Sequence, residues 1–295
     1  MAGWGSEFRT RVEPLVLTTR PVRVLRDADR GAVEELLDAD PVAGVFVAAR
    51  VGSHGISRWR LGAQLWGYTL DGVVCGLCYS GANLVPLTTE PEAVRAFADV
   101  AREQGRVCSS IVGPDKAVLP LWDDLMRDWG PPREVRASQP LLATAVMPDV
   151  APDPWVRRAD MRDFDALLPA CIAMYTEEIG VSPVEWDGGI AYRARVAELV
   201  RAGRSYLRME NGQVVFKAEL GAVSSRVAQV QGVWVHPDRR GTGVATAAMA
   251  AVVADTLRTV APIVSLYVND FNHAARTVYQ RCGFAQVGTF ATVLF

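Results

Sequence analysis

At 295 residues, half of them hydrophobic, and with a formal net charge of −2, the chain holds material for two domains of ordinary size. The near-neutral balance carries no global bias toward nucleic acid or an anionic membrane. Apolar runs such as Val244–Val253 are too short and too Ala-rich to span a bilayer. The first residues lack the basic and apolar regions of a signal peptide, so a soluble, cytoplasmic protein is expected. Basic charge is almost wholly arginine, Lys116 and Lys217 being the two lysines. With the Ala, Val and Gly richness, this points to a high-GC, actinobacterial source.

Beyond an N-terminal arm, residues 1–20, the first half runs as follows. Val22–Leu25 reads as a strand and Arg30–Leu37 as a helix. Gln64–Leu70, Asp71-Gly72 and Val73–Tyr79 form a hairpin, and Asn83–Leu87 a further strand. Pro91–Gln104 is a helix, Val107–Val112 a strand, Ala117–Trp129 a helix and Gln139–Val146 a last strand. Cys75 and Cys78 make a C-x-x-C, but within a strand an offset of three sends the side chains to opposite faces. With no second pair or His cluster nearby they read as buried small hydrophobes, and no metal is expected. His54 is read as a loop residue.

Pro148 to Pro154, with three prolines in seven residues, reads as a linker. The second half restarts with the strand Val156–Arg158 and a helix from Ala159 to Ile179, then a helix over Arg193–Arg201. A hairpin follows, Ser205–Glu210 and Gln213–Val223 around Asn211-Gly212, a strong type I′ signal. The strand Val230–Val235 leads into Arg240-Gly241-Thr242-Gly243-Val244-Ala245, which opens an Ala-rich helix running to about Val260. Free N–H groups and the positive end of the helix dipole favour an anion there, pyrophosphate above all. Gly241 and Gly243 let it approach without meeting a Cβ, and Arg239 and Arg240 add charge at the rim. After the strand Leu266–Val268, Asn272, Ala275, Tyr279 and Gly283 follow at helical spacing, with Gly283 as the stop, and Gln286–Leu294 is the final strand.

The order of V-x-V, R-x-x-G-x-A, helix, strand and N-x-x-A-x-x-x-Y-x-x-x-G-F resembles the GNAT superfamily of N-acetyltransferases over residues 155–295. The first half repeats the element order without the motifs, and also resembles the uncharacterised domain preceding a GNAT domain in many actinobacterial proteins. The expected fold is α+β: tandem GNAT folds, each a twisted, mostly antiparallel sheet flanked by helices. The parts would be a degenerate GNAT-like domain at 21–147, a linker at 148–154 and a catalytic domain at 155–295. In the first half the corresponding helix starts at Thr88-Thr89-Glu90-Pro91-Glu92, where acidic residues repel a pyrophosphate and Pro91 removes a donor. Trp122, seven residues after Asp115, stands where Tyr279 stands after Asn272, and an indole is no substitute for a phenol in proton donation. The first half then serves as a scaffold, as a wall of the substrate cleft, or as a site for something else.

The resemblance implies acetyl-CoA as cosubstrate and direct transfer to an amine, of a small molecule or a protein, in a ternary complex. Val233, Trp234 and Val235 would be splayed from the neighbouring strand to bond the pantetheine amides, with a bulge at Gly232. An N–H of Val233 or Val235 would polarise the thioester carbonyl. Residues Arg240, Gly241, Thr242, Gly243, Val244, Ala245 and Thr246 would take the pyrophosphate, and Asn272 would bond pantetheine or orient Tyr279. Tyr279 is the candidate acid for the leaving thiolate. Glu219 is the candidate base, or else the partner of Lys217 in an ion pair. Gln229 and Gln231 stand where many relatives carry a glutamate, which leaves room for a water chain. Glu177 and Glu178 are read as solvated, or as selecting a cationic substrate. His236 is read as turn structure and His273 as exposed. Two alternatives stay open: acetylation of a cysteinyl-sugar as in mycothiol synthase, and a non-catalytic acetyl-CoA sensor. No nucleic-acid or membrane partner is expected, and the protein would be a monomer or homodimer.

Overall fold

The computed structural model describes residues 21–185 and 188–295; the expected arm at 1–20 lies outside them. In chain order the elements of the first half are β1 (Val22–Val24), α1 (Arg30–Ala39), α2 (Val45–His54), α3 (Arg58–Leu61), β2 (Gln64–Leu70), β3 (Val73–Ser80), β4 (Asn83–Leu87), α4 (Pro91–Gln104), β5 (Ser110–Pro114), α5 (Asp115–Trp129) and β6 (Glu134–Thr144). The second half adds β7 (Arg157–Arg158), α6 (Phe164–Ile179), α7 (Ile190–Arg201), β8 (Ser205–Glu210), β9 (Gln213–Val223), β10 (Val227–Val235), α8 (Val244–Thr259), β11 (Ile263–Tyr267), α9 (His273–Arg281) and β12 (Ala285–Leu294). Both hairpins turn on two residues with positive φ, Asp71 and Gly72 in one, Asn211 and Gly212 in the other. No helix among the described residues is long and apolar enough to cross a membrane.

Two separate sheets are expected from the sequence; the strands instead form one, in the order β1-β2-β3-β4-β5-β12-β6-β11-β10-β9-β8-β7. The pairings are antiparallel except β4 with β5 and β10 with β11, which keeps the expected mixed α/β, mostly antiparallel character. The halves exchange their last strands. β12 inserts between β5 and β6, and β6 pairs with β11 on its other side. The exchange covers the edges that β5 and β11 would otherwise present to solvent. It also carries Phe295 into the first half, edge-on to Trp122 and Trp129 and beneath the Arg106 guanidinium.

A second joint is α2, a helix that the sequence pattern does not mark; His54 is its last residue rather than part of a loop. Val47 and Val51 pack into the first-half core with Leu65 and Leu77. Val45 and Ala49 face Ala222, Val227 and Ile263 of the second half. The helix thus lies across the junction, apolar on both sides. The Pro148–Pro154 segment is held down rather than loose. The Asp153 N–H bonds the Ala247 carbonyl at 2.9 Å, and its buried carboxylate pairs with Arg208 at 2.8 Å.

Candidate active site

The strands β9 and β10 set the site. Phe216, Ala218 and Leu220 point to one face of the sheet, into a core with Val230, Met249 and Tyr279. Lys217 and Glu219 point to the other, toward α6. The register runs Gln231 opposite Glu219, then Trp234 opposite Lys217, so β10 carries one extra residue at Gly232. Its φ of 57° suits glycine, and a Cβ there would stand 3.1 Å from Met174 Cε and 3.2 Å from Lys217 Nζ. The bulge therefore lies where the sequence places it.

On its other edge β10 follows β11 only from Val227–Ile263 to Gln229–Ser265. Beyond that pair the two strands have no ladder, leaving the backbone of residues 230–235 beside a gap. At the end of the ladder the Ser265 hydroxyl is fully buried with no hydrogen-bond partner among the described residues. Past β10, the turn brings Gly241 (φ 76°) and Gly243 (φ 87°) to the start of α8, and a Cβ on either would meet open space. Among the described residues the N–H groups of Gly241, Thr242, Gly243, Val244 and Ala245 meet no protein acceptor, whereas the N–H of Thr246 bonds the Gly243 carbonyl at 3.2 Å. These open donors at the N-terminal start of a sixteen-residue helix suit an anion. The rim arginines are already engaged. Arg240 bonds the Glu177 carboxylate at 2.7 Å and the Val235 carbonyl at 3.1 Å, and Arg239 pairs with Glu210.

Tyr279 enters from α9 on the same face as α8, 6% exposed and edge-on to Phe284. Burial first, then the nearby Glu178 and Cys282, push its hydroxyl well above the ordinary phenol range, so it keeps its proton. Asn272 is the cap of α9, its side-chain oxygen accepting the Ala275 N–H at 3.1 Å. His236 accepts the Asp238 N–H at the turn after β10, and His273 is exposed.

From the opposite face comes a polar cluster. Lys217, fully buried, pairs with Glu219, whose second oxygen accepts Gln231 Nε2 at 3.5 Å; Cys171 Sγ lies 3.7 Å from the first. The facing carboxylate holds the ammonium charged against burial, which alone would strip its proton. Glu178, at the end of α6, is exposed to solvent, yet the protein crowded around its carboxyl raises its pKa above the ordinary range. Arg136 and Lys217 pull the other way. It lies within electrostatic reach of both Tyr267 and Tyr279. Arg136, from β6, donates to the Glu178 carbonyl at 2.9 Å and fixes that end of the helix. From the sequence Glu178 reads as solvated or as selecting a cationic substrate, and nothing there singles out Arg136 or Tyr267. Neither helical spacing nor strand alternation marks these three; they meet only because β6 is exchanged into the second half.

Residues 172–284 match the model of the Acetyltransferase (GNAT) family, and residues 63–167 match a domain of unknown function, DUF4081. Among solved structures, a Drosophila protein aligns with 94% of this chain and 99% of its own, at 15% identity and a TM-score of 0.64. A GNAT-family acetyltransferase from Colwellia psychrerythraea covers 93% and 99% at 12% identity, TM-score 0.53. A GCN5-related N-acetyltransferase from Sphaerobacter thermophilus covers 92% and 94% at 17%, TM-score 0.52. At such identities these likenesses attest the fold, and they attest it across both halves. No curated protein matches the chain.

Proposed function

We propose that the chain, whose residues 172–284 match the Acetyltransferase (GNAT) family model, acetylates a primary amine with acetyl-CoA as donor, by direct attack within the cleft between β10 and β11. The observation that carries this is the early end of the β10–β11 ladder beside the open glycine turn. When bound, acetyl-CoA supplies an acyl thioester activated toward amines.

The residues that would hold it fit the group: the N–H groups of residues 241–245 for the pyrophosphate, and the backbone of Val233 to Val235 for the pantetheine amides. An N–H of Val233 or Val235, on the strand edge beside the gap, would polarise the thioester carbonyl. Arg240, neutralised by Glu177, shapes the rim more than it adds charge. Asn272 positions Tyr279 by capping its helix. Tyr279, kept neutral by burial, holds the proton that a departing thiolate takes up.

An attacking amine must first lose a proton, since its ordinary pKa is about 10.4. Glu219 is poorly placed to accept it while the Lys217 ammonium occupies the same oxygen, and we assign it a positioning role through Gln231. Glu178 is the better acceptor: exposed, unpaired by any cation at its carboxyl among the described residues, and raised toward the range where a general base works. The test is thiol release from acetyl-CoA against a panel of amines, with wild type and Tyr279→Phe. Tight acetyl-CoA binding without release for any amine, including a cysteinyl-sugar, overturns the enzymatic reading in favour of a sensor.

A further inference from the structure

On the α6 and α7 face of the sheet a cavity of about 210 Å³ lies between α7 and α2, with walls from both halves. Its floor is polar: Gln229 and Gln231 of β10 and Tyr267 of β11. Gln231 stands two residues before Val233, a span of about 7 Å along an extended strand. A small molecule seated there reaches the gap with one end and the interhelical space with the other.

The charges lining the cavity are unbalanced. Three arginines line the cavity, Arg50 from α2, Arg195 from α7 and Arg204 just before β8, against one carboxylate, Glu198. Arg195 pairs with Glu198 at 3.0 Å and cancels it. Arg50 and Arg204 have no carboxylate or hydrogen-bond partner for their side chains among the described residues; the Arg50 guanidinium covers the Phe46 ring, 5.4 Å from its centroid, and lies within electrostatic reach of the Tyr79 hydroxyl. Both are half-buried. Two half-buried guanidiniums without counter-ions lining one cavity would be unfavourable unless an anion joins them, and guanidinium forks match the oxygens of a carboxylate or phosphate. A polyamine would meet two like charges there.

We infer that this cavity is the acceptor site and that the acceptor is a small amine carrying a carboxylate or phosphate, its anionic group held between Arg50 and Arg204 and its amine directed to Gln231 and the gap. The inference rests on the acetyltransferase reading. It also gives the first half a part in recognition, because α2 supplies one arginine and one wall of the site.

The experiment uses the full chain and measures thiol release with four acceptors of similar size: an amino carboxylate, its neutral amide, an amino phosphate and a diamine. Calorimetry with acetyl-CoA alone reports the donor site separately. The expected result is preference for the carboxylate or the phosphate, the better of the two naming the anion. Arg50→Gln and Arg204→Gln would each raise KM for that acceptor by about ten- to a hundredfold, as loss of a hydrogen bond to a charged group does, without moving KM for the neutral amide. Because the two arginines belong to different halves, misfolding of one variant leaves the other as a test. Preference for the diamine, or equal shifts for charged and neutral acceptors, overturns the inference while the acetyltransferase reading stands. Failure to bind acetyl-CoA overturns both.

Discussion

The hairpins β2–β3 and β8–β9 are the same object built twice. Each turns on two positive-φ residues, and each carries its bulge at the third residue after the turn, Cys75 in one and Val215 in the other. Counting from the turns superposes Leu77 on Lys217 and Tyr79 on Glu219. The first half fills these two buried positions with apolar and aromatic bulk, the second with an ion pair. The next strands diverge in the same sense. β3 and β4 stay in register from Leu77–Leu87 to Ser80–Leu84, whereas β9 and β10 are broken at Gly232. The parallel ladders, by contrast, both end early: β4 and β5 pair only at Asn83–Ser110 and Leu84–Ile111, although a Cβ on Gly113 would still stand 3.2 Å from the Pro86 carbonyl oxygen. The helix starts differ too: Glu90 and Pro91 begin α4, and an open Gly243 begins α8. Since one fold tolerates both sets, the bulge, glycine turn and ion pair are not demanded by folding. They are what the proposed donor and acceptor would require.

The largest expected effect is at the proposed proton donor. Tyr279→Phe keeps the ring against Phe284 and removes only the hydroxyl, so kcat should fall about 10²- to 10⁴-fold with little change in acetyl-CoA affinity. Trp122→Phe, its counterpart in the first half, should leave kcat unaltered and register only in the melting temperature. Equal losses of kcat from the two would erase the distinction between the halves.

The ion pair comes next. Lys217→Leu alone leaves the Glu219 carboxylate buried without its cation, and denaturant unfolding should show a loss of about 3–5 kcal/mol. The double variant Lys217→Leu, Glu219→Met approximates the first half's solution and should regain most of that stability, yet not the activity, because Gln231 loses its partner. A double variant as unstable as the single would mean that the face needs the pair for folding.

At the turn, Gly243→Asp places a carboxylate among the donors of α8 on a residue with φ of 87°. KM for acetyl-CoA should rise on the order of ten- to a hundredfold. The reverse exchange in the first half, Glu92→Gln, should create no acetyl-CoA binding in calorimetry, since Pro91 and the acidic Glu90 cap remain.

Much of this was legible in the sequence where local chemistry decides. Asn211-Gly212 fixes its turn, Gly232 its bulge, and Gly241 and Gly243 the open loop, because each backbone conformation excludes most other residues. The partners of β6 and β12 were not legible, since alternation marks a strand and its faces but not which edge it covers. Nor was α2. Val-Phe-Val-Ala-Ala-Arg-Val has no amphipathic stripe because it is buried on both sides, and Gly44 offers no side-chain cap. Without α2 the cavity loses Arg50 and the helical part of its first-half wall, and without the exchange of β6 the surroundings of Glu178 do not form.

The smallest effect separates Glu178 from an ordinary solvated glutamate. Its carboxyl takes up a proton more readily in the folded chain than in the unfolded one. Above the raised pKa the ionised form therefore costs stability in full, and the cost fades as pH falls through the raised value toward the ordinary one near 4.3. Glu178→Gln should accordingly raise the melting temperature at neutral pH and give no gain near pH 4. Its activity should move the opposite way. Wild-type kcat/KM should decline as acid protonates the carboxyl, while the variant should be slow at neutral pH and lack that acid limb. No solvated glutamate would tie a gain in stability to a loss of rate in this manner. A Glu178→Gln variant with wild-type turnover and an unchanged acid limb would pass the proton acceptor's role to a water held by Gln231.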